Sequence, residues 1–140
     1  MSSETDVSVR GVVWAGGIIM FLAAAHLLIT GVISAQHLPD WFSGALWLGA
    51  DGLDSLRDPA PAAGAFWMVW GSFAVPLGLV GALVLRFGRL GQVPPPYIAI
   101  GVAVWGLVAA VVLEPTPFIL VVIPAGMLLA AQRGRRAAAA

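Results

Sequence analysis

Acid–base chemistry has few places to sit in this chain. Its 140 residues hold two histidines, seven acids and seven arginines, with no cysteine and no lysine. His26 is the ionisable side chain set deepest in an apolar run, and Thr30 follows one helical turn later on the same face. An ionisable group inside a membrane is costly and invites a functional hypothesis. Histidine titrates near neutrality, and a carboxylate partly withdrawn from water can serve as its partner. A His26–Glu114 pair could therefore move a proton on a lipid-like substrate, isomerising or cyclising it. The candidate is an outward-facing pocket lined by His26, Thr30, Trp67, Trp70 and Glu114, beneath a loop that carries His37, Asp51, Asp54 and Arg57. No residue is assigned a catalytic role.

Each of these residues also has a plainer reading. A histidine in a membrane helix often makes one interhelical hydrogen bond. Glu114 can end a helix at the interface, and Trp67 and Trp70 can be packing and headgroup anchors. Several sharper chemistries fail outright. Without cysteine there is no thiol redox chemistry, disulfide framework or thiolate metal site. Haem ligation would need a second deep histidine from another chain. His26, His37 and one acid are not at the spacing of helical zinc ligands. The helix-1 carboxylate of small multidrug exporters is missing, as are a Walker motif and a G-x-S-x-G elbow. No cofactor or metal is expected.

The elements that must position these residues follow from composition. Hydrophobic residues make up 60% and charged residues 10%, against about 45–50% and about 25% in soluble domains. These proportions exclude a water-soluble enzyme and a disordered tail, and the zero net charge excludes a nucleic-acid partner. The solvent is the lipid bilayer. Spans need roughly 20 apolar residues, and four runs approach that: 11–35, 62–85, 96–113 and 117–131. Lipid requires each backbone amide to be satisfied within its segment, so the runs are expected to be helices. The fold class is all-α: a polytopic four-helix transmembrane bundle over 11–132, with tails at 1–10 and 133–140. The first run is too long for the apolar part of a cleaved signal peptide.

With the N-terminus inside, Arg10, Arg86, Arg89, Arg133, Arg135 and Arg136 are cytoplasmic and only Arg57 is outside. The positive-inside rule therefore gives an N-in, C-in protein of the bacterial inner membrane. The external loop 36–61 reads as an interfacial segment. Asp40 would cap a short helix after Pro39, and Trp41, Phe42, Ala45, Trp47 and Leu48 would lie at headgroup depth. Leu53 and Leu56 would continue that apolar side, with Asp51, Asp54 and Asp58 in water. The turn Glu114-Pro115-Thr116-Pro117 is tight enough to force spans 3 and 4 into an antiparallel hairpin. Span 4 is only about 24 Å long. Either the bilayer thins there or the turn lies below the outer surface, where Glu114 would need His26, His37 or Arg57 as a partner. Gly78 with Ala82, Ala99 with Ala103, and Gly126 with Ala130 have helix-contact spacing. Pro76 and Pro124 should kink spans 2 and 4. Residues 137–140 read as disordered.

One resemblance covers residues 10–132. His26 is followed by Gly31, span 2 opens with Ala65-Phe66-Trp67 and carries Gly78 and Gly81, and span 3 follows Pro94-Pro95-Pro96. This pattern resembles short four-helix membrane proteins of actinobacteria that share a domain of unknown function. The resemblance implies the four-span fold and no activity. Three functions stay open. The first is a non-enzymatic accessory or assembly subunit that packs against itself or a membrane partner. The second is a small membrane enzyme or binder of a lipophilic small molecule, using the His26–Glu114 level. Transport is weaker, because below His26 the first span is wholly apolar.

Overall fold

The computed structural model describes residues 2–44, 46, 59–112 and 117–139. Among them the chain is all-α. Helix α1 runs Ser2–Ile33, a 3₁₀ turn follows at Ala35–His37, and α2 covers Leu38–Phe42. Then come α3 (Pro61–Val69), α4 (Ala74–Arg89) and α5 (Pro96–Val112), and a second 3₁₀ turn (Pro117–Val121) leads into α6 (Val122–Ala139). Three helical stretches are long and apolar enough to cross a membrane: Val9–Ile33, Pro61–Arg89 and Pro117–Ala137. Helix α5 is apolar but, at 17 residues, shorter.

Several boundaries differ from expectation. Residues 2–10 continue α1 rather than forming a separate tail. Residues 137–139 are helical, not disordered, because α6 runs on through Gln132 and the arginines. Span 2 is broken rather than kinked. Pro76 has no N–H to offer, and its ring clashes with the carbonyl of Ser72 in a helix. The helix therefore stops at Val69 and restarts at Ala74. Ser72 bridges the gap: its hydroxyl donates to the Val69 carbonyl (2.7 Å) and accepts from the Ala74 N–H (3.3 Å). Pro124 acts similarly on span 4, where the tight turn gives way to α-helix just upstream.

The chain divides into two compact units, 1–22 with 77–140 and 23–76. In the first, the core is built from Val12, Ala15, Val84, Val93, Ala99, Leu128 and Ala131. Glycine sets its spacing. A Cβ on Gly16 would stand 2.6 Å from the Leu85 backbone nitrogen, and one on Gly81 would stand 2.8 Å from the Met20 nitrogen. Gly88 lies equally tight against Val13. The close-packed glycines of this unit are thus Gly16, Gly81 and Gly88 between α1 and α4, and Gly106 of α5, whose Cβ would run into Val121. The expected pair Gly126 and Ala130 is exposed instead, with nothing within 4 Å of a Cβ on Gly126.

Helix α4 ends where Gly91 takes φ +69°. The Gln92 N–H reaches back to the Phe87 carbonyl and the Gly91 N–H to that of Gly88, the paired bonds of a glycine C-cap. Pro96 then opens α5 with the φ a first helical residue needs. Helix α5 packs antiparallel to α6. Ala99 shares a core with Leu128 and Ala131, while Trp105 meets Phe118 edge-on at 4.8 Å. The Gln132 amide donates to the Pro94 carbonyl (3.0 Å), tying the end of α6 to the proline run.

Candidate functional site

The second unit holds the described candidates. Helix α3 buries Ala62, Ala65 and Val69, one face at helical spacing. The cluster is completed by Trp41, with Leu27 and Leu46 against it. Trp41 corrects an expectation. It is only 7% exposed, its indole N–H donates to the Ala62 carbonyl (2.9 Å), and its ring meets Phe66 edge-on at 5.9 Å. It therefore anchors α2 to α3 instead of facing headgroups. Phe42 points outward, 82% exposed. Asp40 does not cap α2 either. That helix begins at Leu38 with no side-chain cap, and Asp40 sits in its first turn. There its carboxylate lies 3.9 Å from His37 Nδ1.

His26 is half-buried, and its Nε2 lies 3.2 Å from the Met68 carbonyl oxygen. The break after Val69 explains this contact. A helix end leaves its last four carbonyls without amide partners. The Phe66 carbonyl takes the N–H groups of both Trp70 and Gly71 (2.8 and 3.1 Å), and the Val69 carbonyl takes the Ser72 hydroxyl. Met68 has lost the donor that Ser72 would have supplied in an unbroken helix, and the imidazole replaces it. The bond is made with Nε2 as donor. The proton therefore sits on Nε2 in the neutral ring.

Thr30 is buried, and its hydroxyl donates to the carbonyl of His26 (2.7 Å). Ser34, one turn further along, is 2% exposed, and its hydroxyl has no partner among the described residues. Residues 26, 30 and 34 thus form a polar line on one face of α1 and the turn after it. Sequence reasoning named the first two and missed Ser34, although the spacing of four was its signal.

Trp67 and Trp70 are 66% and 55% exposed. Both rings are largely exposed on the outside of the unit. His37 pairs with its own neighbourhood, lying near Asp40 and 3.4 Å from the Gln36 amide. Glu114, Asp51, Asp54 and Arg57 lie outside the described residues, as do Ala45, Trp47, Leu48, Leu53, Leu56 and Asp58 and the Glu114–Thr116 part of the turn. Among the described residues no three histidines or acids gather as a metal set. The structure thus brings together His26, Thr30 and the broken end of α3. No family model, curated protein or solved structure matches the chain.

Proposed function

We propose that this chain is a non-enzymatic accessory or assembly subunit of a bacterial inner membrane, packing against itself or a membrane partner. The observation that carries this reading is where the polar side chains of the spans direct their hydrogen bonds. His26, Thr30 and Ser72 all bond to backbone carbonyls. His26 and Ser72 are committed to the helix break and Thr30 to its own helix, which leaves them little for a substrate. The open face of α6 at Gly126 and Ala130 is where a neighbouring helix could approach closely.

The full arrangement proposed has four spans with both termini inside, as in the actinobacterial proteins the sequence resembles. Helix α5 supplies the fourth span, about 25 Å long, which a locally thinned bilayer accommodates. Leu38 and Phe42, both exposed, face the outer headgroups. Native mass spectrometry of protein extracted with its lipids tests the function. The expected result is more than one copy, or a retained partner, with the assembly weakened by Gly126→Ile. A monomer alone would reject it. A second reading, a binder or modifier of a lipophilic molecule, is favoured by the unpartnered Ser34 hydroxyl beside Thr30. A retained lipophile lost in Ser34→Ala would select it.

A further inference from the structure

We propose that the arginine-rich end of the first unit is a binding surface for the phosphate headgroups of anionic membrane lipids. Arg86 and Arg89 end α4, and Arg133, Arg135 and Arg136 lie in the last turns of α6. The packing puts these helix ends together. Val84, Val93, Leu128 and Ala131 share one core, and Gln132 holds the Pro94 carbonyl. All five arginines are exposed, and among the described residues none has a carboxylate partner. Arg10 of α1 lies at the same end and is already engaged.

The charge balance calls for an anion. Arg86 with Arg89, and Arg133 with Arg136, are like-charge pairs three residues apart, a spacing that brings side chains to about 5–6 Å. Each helix C-terminus offsets about half a charge. Two such ends leave roughly four of the five positive charges unbalanced. A guanidinium binds a phosphate through two parallel N–H bonds, and this surface contains only guanidinium groups, with no lysine. The occupant is a lipid because of what lies next to the arginines. Trp14 on α1 and Tyr97 at the start of α5 are exposed one turn or less inward, the level at which aromatic side chains meet headgroups. Leu90 stands exposed beside Arg89 to meet acyl chains.

This proposal goes beyond the accessory role and rests only on the membrane reading. The test reconstitutes the full chain in nanodiscs of phosphatidylcholine mixed with phosphatidylglycerol, then reads co-purified lipid by native mass spectrometry. Phosphatidylglycerol should be enriched over its share of the mixture, and the enrichment should fall as salt rises. Arg133→Gln/Arg135→Gln/Arg136→Gln should lower it by roughly fivefold per arginine. These positions lie beyond Ala131 and are exposed, so the core is untouched. Adding Arg86→Gln and Arg89→Gln should abolish the preference. Equal retention of both lipids, or an unchanged preference in the triple variant, would overturn the proposal. So would displacement by millimolar inorganic phosphate or by a short DNA strand. Alkaline carbonate washing separates the two readings. A chain washed off the membrane defeats both, whereas one that stays but shows no preference defeats this one alone.

Discussion

An imidazole that donates to Met68 is holding a helix end in place, and its replacement should read as a loss of stability. His26→Ala leaves the Met68 carbonyl unpaired in apolar surroundings. Side-chain hydrogen bonds between membrane helices are worth about 0.6 kcal/mol on average and up to about 1.7 kcal/mol. Unfolding in mild detergent should show a loss in that range, and His26→Gln, which keeps a donor, should recover part of it. Thr30→Val should be near neutral, because the His26 carbonyl keeps its helical amide when the hydroxyl goes. A His26→Ala chain as stable as wild type would mean the contact is incidental. His26 stood out in the sequence as an ionisable group in an apolar run. Its acceptor did not, because a backbone carbonyl becomes available only where a helix breaks. Pro76 marked that break: four residues back stands Ser72, and four further back Met68, whose carbonyl loses the Ser72 amide when the helix stops. Trp41 was misread for a related reason. Tryptophan suits both an interface and a core, and only the Ala62 carbonyl at 2.9 Å decides between them.

At the level of helices, the apolar runs foretold α1, α5 and α6 and placed both ends of α5, but α1 begins before its run and α6 ends beyond its own; the proline turn foretold the antiparallel pairing of α5 with α6. Which glycines touch a neighbour depends on how each helix is rotated, and spacing alone does not encode that. Two substitutions of identical chemistry separate the cases. Alanine gains about 0.5–1 kcal/mol over glycine in a helix interior. Gly126→Ala should keep that gain, since its Cβ enters open space. Gly16→Ala should instead lose about 1–3 kcal/mol, the usual range for overpacking, because its Cβ meets the backbone of Leu85 and Gly81. Equal stabilities would show that α1 and α4 are not held at this distance. The break in span 2 gives a further test. Pro76→Ala restores an amide donor and removes the clash with Ser72, so α3 and α4 should fuse. Hydrogen exchange at Ser72 and Phe73 should then slow markedly, and unchanged exchange would place the cause of the break elsewhere.

For the whole molecule the open question is parity, and the short α5 decides it. Suppose only the three long stretches cross. Starting from an inside N-terminus, α6 would then run outward and carry Arg133, Arg135 and Arg136 across the membrane. Arginine is the residue that orientation rules keep inside, and each costs about 2.5–3.5 kcal/mol on the insertion scale at a span's centre. The packing of the first unit opposes that route as well. The end of α6 is tied at Gln132 to Pro94, beside the start of α5 and close after Arg89. On the proposed topology α5 crosses in the sense opposite to α6, and the count is even. The absence of native cysteine makes this directly measurable, since any thiol introduced is the sole target. Ala60→Cys, exposed before α3, should react with a membrane-impermeant maleimide on intact cells. Ala137→Cys, exposed near the end of α6, should react only after the membrane is opened. Labelling of Ala137→Cys from outside would restore the three-span count and put the arginine surface, with its proposed lipid partners, on the external leaflet.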